Sequence, residues 1–291
     1  MLTRSRAAPL IAAVWRDLEQ RCSPAPLIYD AQVSVLLSAL LSKDERAALE
    51  NHPLTAEGSS LDVCAVRTRL LDRWLEKPTW PPLRTTRRQT VILGAATDTR
   101  PYRFGFSRYV QTVFEVDPDD ALLEAKHEAV AAAGFKPRCD VRRVGADLSN
   151  AASVEAKLDA AGFDPRLPTR WVAESFESIP PQARSSLFAL ACRMGGTPGS
   201  GFAAQVLEPS FGELVASAVA SASASEGVGA AAAALHEYEP LAPVDATLGE
   251  LQATGWTGVR AMRQAELAEA CVGRRTHEGF KLVFAEADPL G

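Results

Sequence analysis

The sequence lacks any apolar run near the ~18 residues that a membrane span needs, so we expect no transmembrane segment. It also lacks paired cysteines. Its five cysteines include no CxxC pair and stand at positions 22, 64, 139, 192 and 271. An odd, scattered set is a poor basis for a zinc site or for the disulfide framework of a secreted protein. We therefore expect reduced thiols, no bound metal and a cytoplasmic protein.

Clustered positive charge is missing as well. The formal net charge is −5, and the short basic run at 84–88 is more typical of a solvated loop than of a phosphate-binding surface. This balance argues against nucleic acid as a partner. A hydrophobic content of 47% over 291 residues is typical of a globular protein with one large core.

The first 80 residues are predicted to form a helical cap region. Apolar residues recur at helical spacing over 5–21, 31–41 and 61–76. The start of the chain is basic and then apolar, which leaves an organelle-targeting arm as an alternative. It lacks a signal-peptide cleavage region and continues as an amphipathic helix, so we favour the cap.

From residue 90 onward, short apolar segments alternate with helical ones. Strands are predicted over 90–93, 112–117, 141–148, 169–175 and 201–208, and helices over 120–134, 151–162 and 180–194. A helix and a strand within 248–262 and a last strand within 277–287 bring the total to seven strands. This alternation predicts a doubly wound, mostly parallel sheet. We expect one domain over 1–291, with its core over 90–291 and an Ala/Ser-rich insert around 214–236.

Small and acidic residues follow the predicted strands, at the edge where open α/β sheets bind ligands. The segment GAATDT ends the first strand, where small residues allow a ligand close to the backbone. Asp117 ends the second strand and suits ribose hydroxyls. Asp147 and Leu148 end the third and suit adenine, and Glu174 ends the fourth. Three carboxylates would repel a pyrophosphate but suit a nucleoside attached to a cation, as in S-adenosylmethionine.

Each of these residues also has a purely structural interpretation. Asp117 and Asp147 could be helix N-caps. Glu174 could be a solvated loop acid, and Asp98 could tie down its own turn. The joint arrangement at successive strand ends is what favours a ligand site.

These motifs resemble the leucine carboxyl methyltransferase family of class I S-adenosylmethionine-dependent methyltransferases. The segment VILGAATDTRPYRF is similar to the family's strand-Gly-Ala-Gly-x-Asp-Thr-Arg signature, and the similarity extends through ADL, LPT and AES to nearly the whole chain. The resemblance implies the class I methyltransferase, Rossmann-like fold: a seven-stranded sheet with N-terminal helical additions. This sequence departs from the family's pattern at Ala96, where the family usually has glycine, and at SFESIP, a segment that borders the acceptor pocket in the family.

The resemblance also implies cofactor-binding roles for six residues: Arg67, Gly94, Asp117, Asp147, Leu148 and Glu174. Arg67, favoured over Arg69 by helical register, would bind the methionine carboxylate. Gly94 would pack under the methionine part, and Glu174 would face its amino end. Asp117 would hold the ribose, and Asp147 with Leu148 the adenine. Arg100 and Arg103 could orient an acceptor carboxylate, although a structural salt bridge is favoured for both.

The expected activity is carboxyl O-methylation, which needs no general base because the acceptor is already ionised at neutral pH. No catalytic residue is therefore assigned. The first acceptor hypothesis, from the resemblance, is the C-terminal leucine of a type 2A protein phosphatase catalytic subunit. A small-molecule acid or hydroxyl is the second. A cofactor-binding interaction protein without turnover is the third.

Overall fold

The computed structural model describes residues 4–52, 55, 59–76, 87–103, 110–174, 179–207, 244–263, 266, 269 and 280–286. The predicted insert around 214–236 and residues 175–178 of SFESIP lie outside these residues. The domain boundaries given above remain predictions.

Helices dominate the described residues before the sheet. They are α1 (Arg4–Cys22), α2 (Ala31–Leu40), α3 (Lys43–Glu50) and α4 (Ser59–Glu76). Three of these confirm the predicted helices. The unpredicted α3 begins with a capping box, in which Ser42 accepts from the Glu45 backbone N–H and the Glu45 side chain accepts from that of Ser42.

Seven strands of the described residues form one sheet, as the sequence predicts. They are β1 (Arg88–Leu93), β2 (Val110–Asp117), β3 (Asp140–Gly145), β4 (Thr169–Ala173), β5 (Gly201–Leu207), β6 (Thr257–Arg263) and β7 (Phe280–Glu286). Their order is β3-β2-β1-β4-β5-β7-β6, and β7 is antiparallel to both of its neighbours. The third strand was predicted too long, because the chain turns after Gly145 and leaves Asp147 and Leu148 beyond it.

The remaining helices follow the strands: α5 (Arg100–Arg103), α6 (Asp120–Ala132), α7 (Ala151–Ala160), α8 (Pro181–Gly195) and α9 (Val244–Ala253). Side chains of β1, β2, β4, β5 and β7 alternate between two apolar cores, one on each face of the sheet. In β4, Trp171 packs in the core that contains Phe188 of α8, and Val172 packs in the core that contains Trp74 of α4. Helix α4 therefore covers one face of the sheet.

The position of β1 decides where a ligand can bind. The chain runs from β1 to β2 and β3 on one side, then returns to place β4 on the other side of β1. Such a reversal opens a crevice at the carboxyl ends of the two central strands. Leu93 and Ala173 are paired in the last register position of β1 and β4. The residues that follow them, Gly94 and Glu174, thus start from adjacent points at this edge.

Candidate cofactor-binding site

The turn after β1 depends on one glycine. Gly94 has φ of +71°, a conformation that residues with a Cβ rarely adopt, while a Cβ built there would meet nothing within 4 Å. Its backbone N–H and that of Ala95 both donate to the carbonyl of Val116 at the end of β2, at 2.8 and 3.1 Å. Glycine is needed here for its backbone conformation, a reason that differs from the close approach of a ligand expected from the sequence.

Ala96 fits this turn without a backbone change. Among the described residues, positive φ values occur only at glycines, so Ala96 has an ordinary conformation. Its N–H donates to Asp117 Oδ2 at 2.9 Å. The family's glycine is therefore not required at this position for conformational reasons.

Asp117 is fixed by backbone donors from two sides. Besides Ala96, the N–H of Asp119 donates to Asp117 Oδ1 at 2.8 Å. Burial raises the pKa of Asp117, and these two hydrogen bonds oppose the rise. The N-cap interpretation of Asp117 is wrong, because Asp119 caps α6 by accepting from the N–H of Leu122. Each carboxylate oxygen of Asp117 has one donor and a further lone pair.

Asp147 and Leu148 lie in the turn after β3, beside Asp117. The N–H of Ala146 donates to the Asp117 carbonyl at 3.0 Å, which joins the two strand ends. Asp147 is exposed and accepts from the N–H and the hydroxyl of Ser149, which lower its pKa. It is not an N-cap, since Asn150 caps α7. Leu148 is buried in the core on this face.

Arg67 and Glu174, which lie 107 positions apart in the numbering, are in direct contact. Arg67 Nη2 lies 3.0 Å from Glu174 Oε2, and Arg67 Nη1 donates to Gln205 Oε1 of β5 at 2.6 Å. Burial disfavours the charge on Glu174, but Arg100 and Arg67 outweigh it and hold the pKa well below its usual range. The interpretation of Glu174 as a solvated loop acid is therefore wrong. Arg67 is buried, and Arg69 is half-buried.

Arg100 links the turn after β1 to three carboxylates. Its Nη2 donates to Glu174 Oε1 at 2.5 Å, its Nη1 to Asp98 Oδ2 at 2.5 Å and its Nε to Asp72 Oδ1 at 2.7 Å. Asp98 also accepts from the Arg100 backbone N–H, so it ties down its own turn. Arg103 pairs with Asp72 at 2.6 Å. The structural salt bridge favoured for Arg100 and Arg103 is confirmed.

These residues belong to one buried ion cluster of four acids and four arginines: Asp30, Asp72, Asp98, Glu174, Arg16, Arg67, Arg100 and Arg103. Asp30 and Asp72, which sequence reasoning missed, attach α2 and α4 to the site. A signal was available for each. Asp30 directly precedes a predicted helix as its N-cap, and Asp72 is an acid beside the apolar positions of α4.

Helix α1 is attached to the same turn by hydrogen bonds. Arg16 Nη2 donates to the Thr97 carbonyl at 2.6 Å, and the Thr97 hydroxyl donates to the Pro9 carbonyl at 2.9 Å. The hydroxyl of Thr99 donates to Asp30 Oδ2 at 2.6 Å. The Asp-Thr-Arg motif thus holds the N-terminal helices against the carboxyl edge of β1.

The family model described as leucine carboxyl methyltransferase matches residues 9–190, more than half of the chain. The chain belongs to the leucine carboxyl methyltransferase family. This match includes the ion cluster, the turn after β1 and all six of the predicted cofactor-binding positions.

Bacterial relatives support the same assignment. A protein of Mycolicibacterium smegmatis, provisionally named an S-adenosyl-L-methionine-dependent methyltransferase, is 36% identical over 146 residues, which are 50% of this chain and 45% of that protein. A similarly named protein of Mycolicibacterium vanbaalenii is 32% identical over 194 residues, 64% of this chain and 61% of that protein. The chain spans about half the length of the curated relatives it matches.

Solved structures support the fold of this family member. A crystal structure from Thermobifida fusca, provisionally described as a methyltransferase, has a TM-score of 0.56 at 13% identity and covers 91% of this chain and 98% of that one. A DUF574 family protein of Streptomyces avermitilis has a TM-score of 0.53 at 13% identity, covering 95% and 97%. The class I methyltransferase fold is confirmed.

In this leucine carboxyl methyltransferase family member, a second buried pair supports the turn after β1. Lys126 Nζ donates to the Ala95 carbonyl at 3.2 Å and to Glu115 Oε1 at 2.8 Å, and both charged side chains are fully buried. His127 Nε2 lies 2.6 Å from the other Glu115 oxygen. Lys126 and Glu115 were not predicted. Their signal is weak, because charged residues on α6 and β2 are also typical of exposed faces.

Two further features are absent from the described residues. No cluster of His, Cys, Asp or Glu there could hold a metal ion. None of the helices described is long and apolar enough to span a membrane.

Proposed function

We propose that this chain binds S-adenosylmethionine at the carboxyl edge of the sheet and transfers its methyl group to a carboxylate. The observation that carries the proposal is the contact of Arg67 with Glu174 beside the turn at Gly94. Family membership is a second support. An anion-binding guanidinium and an ionised carboxylate at one point suit a ligand that carries both charges of an amino acid.

The donor set of the site fits this cofactor. Arg67 would bind the methionine carboxylate, and Glu174, kept ionised by its arginine partners, would accept from the amino group. The free lone pairs of Asp117 would accept from the ribose hydroxyls. Asp147 would accept from the adenine amino group, with Leu148 as an apolar contact. The site does not suit a ligand with a pyrophosphate group, because the carboxylates at three strand ends would repel that group.

The cofactor, when bound, supplies an electrophilic methyl group on a sulfonium. The protein then has to orient the two reactants and exclude water. It needs no general base for a carboxylate acceptor, which is ionised at neutral pH because its pKa is about 3.5. Gly94 and the backbone around it would face the methionine part, and the ion cluster would hold the charged side chains in position.

For the acceptor, we propose first the C-terminal leucine of a type 2A protein phosphatase catalytic subunit, which the family's description as a leucine carboxyl methyltransferase supports. A small-molecule acid or hydroxyl is the second candidate. The S-adenosyl-L-methionine-dependent methyltransferases named among the bacterial relatives support this broader class.

We place the reaction in the cytoplasm. The thiols of Cys22, Cys64, Cys139 and Cys192 are free, as suits a reducing compartment.

Cofactor binding is tested by isothermal titration of the full chain with S-adenosylmethionine. Asp117→Ala should weaken binding by more than about tenfold, because a charged group that accepts two ribose hydroxyls is lost. Asp164→Ala is the matched control, because Asp164 is a loop acid before β4 that pairs with Arg166. Wild-type chain that does not bind, or equal losses in the two variants, contradicts the proposal.

Turnover is tested with methyl-labelled S-adenosylmethionine and two acceptors, a peptide ending in the phosphatase tail and a panel of small carboxylic acids and hydroxyl compounds. Label in the peptide that is released by mild base identifies a C-terminal methyl ester. Label in a small molecule alone favours the second candidate. Tight cofactor binding without transfer to any acceptor supports an interaction protein and contradicts the proposed reaction.

A further inference from the structure

Glu174 is held by two arginines that reach it from different elements. Arg67 of α4 contacts Oε2 at 3.0 Å, and Arg100 of α5 contacts Oε1 at 2.5 Å. Each oxygen thus has its own guanidinium. Arg67 is also bound to Gln205 through its other terminal nitrogen. Because Arg100 pairs with one carboxylate oxygen of Glu174, Arg67 contacts this carboxylate through one of its two terminal nitrogens.

Arg100 itself is anchored on its other two sides. Its Nε and Nη1 donate to Asp72 and Asp98, and its side chain is 1% exposed. Asp72 is held in turn by Arg103, at 2.6 Å. Arg100 cannot reach a ligand at the strand edge without giving up one of these carboxylates. It therefore acts on the site through Glu174.

We propose that Arg100, anchored by Asp72 and Asp98, is a positioning residue that fixes Glu174 and leaves Arg67 available to an anionic ligand group. This inference rests on the proposed function, in which Arg67 and Glu174 recognise the amino-acid end of S-adenosylmethionine. Without Arg100, Arg67 is the remaining arginine bound to Glu174 and can take both carboxylate oxygens in a bidentate pair. In that pair, Arg67 and Glu174 would bind each other, and they would no longer be available to the carboxylate and the amino group of the ligand.

The test compares two ligands of which only one carries that end. S-adenosylmethionine carries the amino acid on a sulfonium, and 5′-methylthioadenosine has the same nucleoside with a neutral thioether sulfur and no amino acid. The variant is Arg100→Lys, which keeps the charge but cannot span three carboxylates. The matched control is Arg103→Lys, because Arg103 shares Asp72 and is part of the same cluster but has no ion pair with Glu174 among the described residues.

Arg100→Lys should weaken S-adenosylmethionine binding by about tenfold and 5′-methylthioadenosine binding by less than about twofold. Arg103→Lys should change both by less than about twofold. Unchanged S-adenosylmethionine binding in Arg100→Lys overturns the inference. So does an equal loss for the two ligands, since a general disturbance of the fold would weaken both.

Circular dichroism checks that Arg100→Lys is folded. If it is not, Asp72→Asn takes its place, because it preserves the shape of the side chain and removes the charge that anchors Arg100 and also pairs with Arg103. It should show the same selective loss, by about threefold, and an equal loss for both ligands again overturns the inference. Wild-type chain that binds neither ligand overturns the proposed function itself, which is a different result from a change in selectivity.

Discussion

Arg100 and Arg170 are both buried arginines, but replacing Arg100 with methionine should destabilise the protein far more than replacing Arg170. Arg100 is 1% exposed and donates to three carboxylates, whereas Arg170 is 6% exposed and stacks on Trp74, with its Cζ 4.5 Å from the ring centre. In the part of the chain that the structure describes, Nε and Nη1 of Arg170 have no hydrogen-bond acceptor. The positive charge of Arg100 is therefore balanced by hydrogen-bonded carboxylates, whereas the charge of Arg170 is not balanced in this way.

The magnitude for Arg100→Met follows from the partners left behind. Asp72 and Glu174 keep Arg103 and Arg67 as ion-pair partners, so the main uncompensated charge is that of Asp98. Breaking a buried pair in this way costs about 3–5 kcal/mol of the free energy of unfolding. At about 2 °C per kcal/mol for a chain of this length, Tm should fall by roughly 6–10 °C.

For Arg170→Met the expected change is between about −1 and +1 kcal/mol. Burial and the nearby charge of Arg88 lower the pKa of Arg170 to about 10, so the folded state disfavours this cation. An apolar side chain of similar length removes that cost. It loses a cation–π contact with Trp74, worth about 0.5–2 kcal/mol, and replaces it with a sulfur–aromatic contact.

Urea denaturation of the full chain, followed by circular dichroism, measures both variants. Arg193→Met is the control, since Arg193 is an exposed arginine paired with Glu155, and its effect should stay within about 0.5 kcal/mol. A loss for Arg170→Met that equals or exceeds the loss for Arg100→Met would refute the reasoning from charge compensation.

Other replacements around the site have expected outcomes that the same denaturation assay or a binding titration can check. Gly94→Ala should cost about 1–2 kcal/mol, because the added Cβ meets no atom but must adopt the left-handed conformation; no loss would contradict the strain argument. Ala96→Gly should cost less than about 1 kcal/mol and should not improve S-adenosylmethionine affinity, and a clear gain in affinity would restore the family's glycine as a requirement. Lys126→Met should cost about 3–5 kcal/mol by removing the buried cation that pairs with Glu115, which then keeps only its contact with His127 among the described residues, and adding Glu115→Leu should recover much of that loss; failure to recover it would show that the pair is not the cause. Burial alone would raise the pKa of Asp72. The neighbouring guanidinium groups outweigh burial and hold this pKa below its ordinary value. The charged Asp72 side chain therefore stabilises the folded state above pH ~4, and this contribution is lost as the pH falls through the folded-state pKa of Asp72. Between pH 6 and 3 the urea midpoint of the wild type should fall further than that of Asp72→Asn, and equal falls would contradict this assignment.

Much of the fold could be predicted because its signals are local. The alternation of apolar strands with helices predicted seven strands, and β1 through β5 begin within two residues of the predicted positions. The helix α3 was missed because its eight residues include one large apolar side chain, Leu49, and its capping box is what indicates its start. The end of β3 was misjudged because Ala146 and Leu148 are apolar although the chain has already turned.

The site was predictable at its strand ends and not in its pairings. The order of strands in a parallel sheet brings Gly94, Asp117 and Glu174 to one edge, and that follows from spacing alone. The identity of the acid that each arginine contacts does not follow from spacing, because Arg100 is 28 positions from Asp72 and 74 from Glu174. The sequence therefore left Arg100 between two interpretations, and only the packing of α4 against the sheet selects the ion pair.

The hydrogen bonds from Thr97 to Pro9 and from Arg16 to Thr97 have a practical consequence for protein engineering. A shortened chain that began at β1 would lose these contacts together with Asp30 and Asp72, and it would leave Arg103 without its acidic partners in the cluster. Chimaeras that exchange the first 80 residues between homologues must therefore exchange compatible acids along with the helices.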